Sequence, residues 1–203
     1  VEDKRSNHGK ETETMEARIV YFDQPGKQNT DQVLRLVKRR AEELGIKTIL
    51  VASTTGDTAL KAMEVFKGAR IVVVSHFTGM MGPNTQEFTE ENRQKVLGAG
   101  VPLLTATHLF SGLGRAMRKK FGMHLFEETV ANTLRLFGQG MKVVCEITLM
   151  AADAGLVRTD EDIIVIGGTS RGADTAVVLR PVNSEDFFEL KVREILCKPL
   201  LQS

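Results

Sequence analysis

The chain has 203 residues, 42% apolar and 26% charged, with a formal net charge of +1, the profile of an ordinary globular protein. Near-cancellation of charge argues against a nucleic acid backbone as partner, and one Tyr and no Trp leave little to stack on single strands. Two cysteines, Cys145 and Cys197, exclude a disulfide framework and a four-thiolate zinc site, and no apolar run reaches the ~18 residues of a membrane span.

Residues 1–16 are charged and carry no apolar signal core, so they are expected to form a flexible lead-in to a cytoplasmic protein. Residues 17–203 are expected to form a single α/β ligand-binding domain. Residues 18–22 (RIVYF) read as a strand, and Gln24-Pro25-Gly26 turns the chain. Thr30 is placed to cap a helix carrying Val33, Leu34, Val37, Ala41 and Leu44 on one face, and Gly45 to end it. Residues 47–52 predict a second strand and 58–67 a second helix, closed by Gly68. Residues 70–75 (RIVVVS) predict a third strand, buried on both faces as in parallel sheets.

The connection over residues 76–88 is long and carries Gly79, Gly82 and Pro83, and long ordered loops in compact domains are often functional. Thr89 caps a third helix ending near Gly100, and residues 101–106 predict a short strand. Gly112 and Gly114 precede a basic run, Arg115, Arg118, Lys119 and Lys120, which reads as a solvated helix face, with an anion patch as the alternative. Residues 127–137 are helical by spacing. Residues 141–154 begin with a strand-like VVCEITLM, but Val144, Ile147, Ala151 and Ala154 share a helical face, and helix is the preferred reading. Strands over 163–166, 176–180 and 189–197 close the chain. The alternation implies an α/β layered sandwich: a mostly parallel central sheet with helices on both faces and antiparallel strands near the C-terminus. The edge left by the closing strands points to a homodimer.

Two turns could carry chemistry. Ser53, Thr54, Thr55, Gly56, Asp57 and Thr58 lie between the end of a strand and the start of a helix, where free backbone N–H groups and the helix dipole attract anions. Gly56 would let the backbone approach a phosphate. The same residues would also serve as an ordinary helix cap, and the Asp57 carboxylate is repulsive to phosphate unless it points away. The second turn, Gly167 to Thr175 in sequence GGTSRGADT, holds Gly168, Ser170, Arg171, Gly172, Ala173, Asp174 and Thr175. Its Arg171 offers a planar anion clamp and its Asp174 an acceptor for hydroxyls, although a ligand-free glycine hairpin fits the composition too. Neither turn is a GxGxxG or Walker loop. Ligands of open α/β sheets bind beyond the carboxyl ends of strands, which adds His76, Thr78 and Gly79 as neighbouring contacts. His108 and His124 stand isolated, Glu146 and Asp153 do not share a helix face, and no cluster has metal-ligand spacing. Cys145 reads as a buried small hydrophobe.

These residues resemble a known family. The strand–STTGDTA–helix unit followed by RIVVVS, and the closing IIVIGGTSRGADTAVVLRP, are similar to the C-terminal α/β domain of pyruvate kinase. RIVYF, ELGIK, VAS..GDTA, CEIT.MAAD and SRGADTAVV resemble runs of the stand-alone pyruvate kinase α/β-domain proteins, over most of the chain from Arg18 to Pro199. The resemblance implies a phosphorylated small molecule as partner, with Thr54, Thr55, Gly56 and Thr58 at the phosphate and Gly168 with residues 170–175 as the second ligand-facing loop. It implies no pyruvate kinase activity, because that chemistry lives in a barrel domain. Asp57 departs from the basic or neutral residue of the allosteric kinases and speaks against a bisphosphorylated sugar. The stand-alone family is associated with flavin mononucleotide (FMN), whose ribityl hydroxyls Asp174 or Asp57 would accept. A flavin-dependent oxidoreductase and a non-catalytic regulatory or interaction module stay open as alternatives.

Overall fold

The computed structural model describes residue 14 and residues 16–201; apart from residues 14 and 16, the expected flexible lead-in lies outside them. Strand β1 (Val20–Phe22) leads through a 3-10 turn (Lys27–Asn29) into α1 (Thr30–Leu44). Then come β2 (Thr48–Ala52), α2 (Asp57–Val65), β3 (Arg70–Ser75), α3 (Glu90–Gly98) and β4 (Leu103–Thr105). Three helices follow in succession: α4 (Gly112–Phe121), α5 (Phe126–Arg135) and α6 (Gln139–Asp153). The chain closes with β5 (Ile163–Gly167), β6 (Thr175–Arg180), a second 3-10 turn (Ser184–Glu189) and β7 (Lys191–Pro199).

The strands form one sheet in the order β1-β7-β6-β5-β2-β3-β4. The pairs β1/β7, β5/β2, β2/β3 and β3/β4 are parallel, whereas β6 is antiparallel to both of its neighbours. Six strands therefore point one way and β6 alone points back. The closing strands are thus interior to the sheet. In particular, β7 does not form the edge from which a homodimer was expected, because β1 pairs along it.

The alternation of side chains explains why the strand sequences read as unbroken apolar runs. Ile49 and Val51 of β2 face one core cluster, with α1 and α2, while Leu50 faces the other, with α6. Ile164 and Ile166 of β5 likewise oppose Ile163 and Val165. Helices α1, α2 and α3 thus cover one face of the sheet and α5 and α6 the other. Helix α6 takes the helical option because it needs apolar residues on nearly every side; Val144, Cys145, Ile147, Leu149 and Ala151 are all buried. Burial pushes the Cys145 and Cys197 thiols up to about 12, which keeps them protonated and unreactive.

Helix α1 begins differently from the sequence expectation. Thr30 is its first residue rather than its cap, and its hydroxyl donates back to Lys27 O at 2.7 Å. Leu44 lies exposed instead of on the apolar face, while Gly45 ends the helix at φ 66° as expected. Among the described residues no helix is long and apolar enough to cross a membrane.

Candidate functional site

The connections leaving β2, β3, β4 and β5 all emerge at the carboxyl end of the sheet, beside the crossing from one helical layer to the other. They surround a cleft of about 1170 Å³, with α2 on one wall and α4, α5 and α6 on the other. Seven lysines and arginines line it against four carboxylates. The near-neutral chain thus concentrates positive charge here, which favours an anionic ligand.

The turn after β2 supplies one wall. Ser53 N still donates to Val74 O of β3 at 3.0 Å, and the Ser53 hydroxyl accepts from Ala59 N at 3.2 Å, so Ser53 caps α2 from a distance. Leu60 N donates to Gly56 O at 3.0 Å. Among the described residues nothing accepts from the backbone N–H groups of Thr54, Thr55, Gly56, Asp57 and Thr58. Ser53, Thr54, Thr55, Asp57 and Thr58 line the cleft.

Gly56 does not, and its reason for being glycine is different from the one expected. It sits at φ +102°, and a Cβ there would lie 2.4 Å from Asn92 Cβ and 2.9 Å from Phe88 Cε1. Glycine is needed so that α3 can seat against the turn. Asn92 in turn donates through Nδ2 to Thr55 O at 2.9 Å and to Asp57 Oδ1 at 3.2 Å, while Asp57 Oδ2 accepts from the Thr55 hydroxyl at 2.9 Å. The Asp57 carboxylate is therefore held by Asn92 and Thr55.

His76 opens the long loop, and its Nδ1 lies 2.6 Å from Glu87 Oε2. Arg171, from the glycine loop, donates to the other oxygen of Glu87 at 3.0 Å. Burial pushes the Glu87 carboxyl up, but its hydrogen bonds from His76 and Arg171 outweigh that and hold it below the ordinary carboxylate value. Arg171 is accordingly an ion-paired clasp between two loops and not a free clamp. Thr78 and Gly79 lie off the cleft: the Thr78 hydroxyl accepts from Gln86 Nε2 at 3.3 Å and Gly79 N donates to Thr85 O at 2.8 Å, both within the loop.

The glycine loop divides in two. Gly168, Ser170, Arg171 and Gly172 line the cleft, while Ala173, Asp174 and Thr175 are buried behind it. The Asp174 carboxylate accepts from Gly26 N at 2.9 Å, Thr169 N at 3.0 Å and the Thr175 hydroxyl at 2.8 Å. It is fully buried and committed to the fold, so it is not an acceptor for ligand hydroxyls. Gly172 makes the same point: a Cβ there would lie 2.4 Å from Lys27 Cα, and Ala173 N donates to the Thr30 hydroxyl at 3.0 Å.

The opposite wall is the part that sequence reasoning missed. Arg115 and Arg118 of the supposedly solvated run both line the cleft, Arg118 paired with Glu128 at 2.7 Å. Arg135 bonds only to neutral Gln139 and Asn132, at 2.8 and 2.7 Å. Lys142 and Glu146, one turn apart on α6, form an ion pair in the wall, 5% and 2% exposed. Glu146 Oε1 also accepts from Phe110 N at 2.8 Å. His108 stands 3.8 Å from Glu146 Oε2, and burial holds its imidazole below the ordinary value. The Ser111 hydroxyl is buried and unpartnered among the described residues. A readable signal existed: Lys142 and Glu146 are an i, i+4 charge pair within the mostly apolar stretch of α6 from Met141 to Ala152. No group of His, Cys, Asp and Glu able to hold a metal occurs among the described residues.

A family model described as "Pyruvate kinase, alpha/beta domain" matches residues 31–179. Among solved structures, two of a Cryptosporidium parvum pyruvate kinase are similar at 14% identity, covering 75% of this chain with TM-scores of 0.41 and 0.39. A third, of Cryptosporidium parvum pyruvate kinase in complex with ADP, has 14% identity over 73% of this chain and a TM-score of 0.37. The chain spans under a quarter of their length, with 22–23% of each covered.

Proposed function

The chain belongs to the pyruvate kinase alpha/beta-domain family, and from that premise we propose that it binds a phosphorylated small molecule, with FMN as the first candidate. One observation carries the reading. The backbone N–H groups of Thr54, Thr55, Asp57 and Thr58, without an acceptor among the described residues and at the positive end of α2, belong to residues that line a cleft with a surplus of cations. The cleft would take the phosphate at this turn, with the Thr54 and Thr58 hydroxyls as further donors. The residues present fit FMN. The volume of about 1170 Å³ exceeds what a mononucleotide fills, and Met80, Met81, Phe110, Val143 and Ile147 give apolar surface for a flat ring. Bound FMN would supply redox chemistry; the chain's own part would be to fix the phosphate and exclude water from the ring.

The test is a fluorescence titration of FMN, with inorganic phosphate as competitor, on wild type, Thr54→Glu and Thr54→Gln. Thr54 makes no side-chain hydrogen bond among the described residues, so neither change disturbs the turn, but the carboxylate would occupy the cradle. Thr54→Glu is expected to weaken binding at least tenfold, about 1.4 kcal/mol, and Thr54→Gln to leave it within about threefold. Equal affinity of the two variants, or no binding of FMN and phosphate at all, refutes the reading. Mass spectrometry of small molecules released from freshly purified protein identifies the native occupant.

A further inference from the structure

The mechanism of anion binding makes no use of the most unusual group in the cleft, the Lys142 ammonium. A buried ion pair adds little to stability compared with apolar side chains of the same volume, so its presence in a cleft wall calls for another reason. Among the described residues Lys142 donates to one carboxylate oxygen of Glu146 and lies with its Nζ 5.9 Å from the centre of the Phe110 ring, so it keeps donor capacity toward the cleft that it lines. Glu146 is itself held in place by Phe110 N at 2.8 Å. Arg115 and Arg135 stand near enough to disfavour a charged Lys142, and neither has a carboxylate partner among the described residues. Desolvation, and after it these two cations, push the Lys142 ammonium below its ordinary value, although Glu146 opposes them. His108, the remaining titratable neighbour, donates through Nε2 to Ser75 O at 3.4 Å, because that carbonyl can only accept. An amine beside a fixed carboxylate, desolvated and flanked by cations, is the arrangement that activates a lysine nucleophile.

We infer that Lys142 forms an imine with the aldehyde or ketone group of a phosphorylated ligand, with Glu146 exchanging the proton. The ammonium passes a proton to Glu146, and the Nζ lone pair attacks the carbonyl carbon. The C–N bond forms as the carbonyl π pair moves to oxygen, which takes the proton back from Glu146. Glu146 then takes one of the two nitrogen protons of this carbinolamine and passes it to the hydroxyl, which leaves as water while the nitrogen lone pair closes the C=N bond, so that the product is the protonated imine beside the Glu146 carboxylate. Amine and carbonyl become imine and water, with no change of oxidation state and no co-reactant. The inference rests on the phosphate reading of residues 54–58 for the placement of the ligand, and is independent of FMN.

The test uses the whole chain with pyridoxal 5′-phosphate as probe, followed by borohydride reduction and peptide mass spectrometry. The expected result is an adduct on Lys142 at tenfold or more the occupancy of the exposed Lys119 and Lys120. Inorganic phosphate should lower the Lys142 adduct and leave those two unchanged, and Glu146→Gln should slow its formation. Because Lys142→Arg disturbs a buried pair, the wild-type peptide map decides. An adduct spread evenly over exposed lysines, or an unlabelled Lys142 in protein that still binds FMN or phosphate, overturns the inference alone. If phosphate-free pyridoxal labels Lys142 as fast as the phosphate ester, the imine stands and the phosphate reading fails.

Discussion

Gly56 should be the least replaceable residue of the turn, for a reason unconnected with any ligand. An alanine there must hold φ near +102°, which costs about 1–2 kcal/mol for an L residue. Its Cβ must also push aside Asn92 Cβ at 2.4 Å and Phe88 Cε1 at 2.9 Å. Phe88 is buried and Asn92 is tied to Thr55 O, so neither yields freely, and overpacking of this kind adds about 1–3 kcal/mol. Gly56→Ala is therefore expected to lose about 2–5 kcal/mol in all. Gly68 provides the control. It has φ +87° but nothing within 4 Å of a Cβ, so Gly68→Ala should lose only the backbone part, about 1–2 kcal/mol. Urea unfolding of both variants, at unchanged slope, reads the difference. A further cycle with Asn92→Gly, which removes the clashing atom, should show coupling, the double variant losing less than the sum of the singles. Equal losses at Gly56 and Gly68 would refute the claim that the seating of α3 dictates this glycine.

Asp174→Ala should strip acceptors from Gly26 N, Thr169 N and the Thr175 hydroxyl at once, and at about 1–3 kcal/mol for each donor left buried and unpaired it should prevent stable folding or reduce the melting temperature sharply in calorimetry. Lys142→Met should lose about 3–5 kcal/mol by leaving a bare buried carboxylate, while Lys142→Met with Glu146→Gln should recover most of it, because the amide still accepts from Phe110 N; urea midpoints of the three proteins check this. Glu87 is held below its ordinary value in the folded chain, so its contribution to stability is present above the unfolded carboxylate value and is lost as pH falls through the folded one. As pH falls from just above the ordinary Glu value, about pH 5, through the lower folded value, Glu87→Gln should therefore show a shallower fall of stability than wild type, and parallel pH curves would count against the clasp of His76 and Arg171 on that carboxylate.

The fold was legible because its signals are local. Apolar runs at 47–52, 70–75 and 163–166 read as strands, the VVV run of 70–75 as one covered on both faces, and Thr89 reads as a helix cap, closed here by its hydroxyl accepting from Asn92 N, three residues on, at 3.3 Å. What failed was non-local. The sequence places β7 last, but nothing in 191–199 says that β1 will pair along it and remove the edge. Thr30 looked like a cap because it precedes an apolar periodicity; it is spent instead on the glycine loop 143 residues away, through Ala173 N.

The site shows the same division with a sharper consequence. Glycines and carboxylates in the turns that leave β2 and β5 suggest a ligand, yet Gly56, Gly172 and Asp174 each answer to packing or to backbone donors of the chain itself. Once these are subtracted, the cleft-lining groups without a partner among the described residues include the N–H groups of Thr54, Thr55, Asp57 and Thr58, the Ser111 hydroxyl and the guanidinium of Arg115, with Arg135 bonded only to neutral side chains. The first comes from β2–α2, and the others from the start of α4 and the end of α5, on the far helical layer. No sequence window contains both sets. They meet because parallel strands deliver successive connections to one end of the sheet, so the ligand-facing chemistry is a property of strand order rather than of any motif.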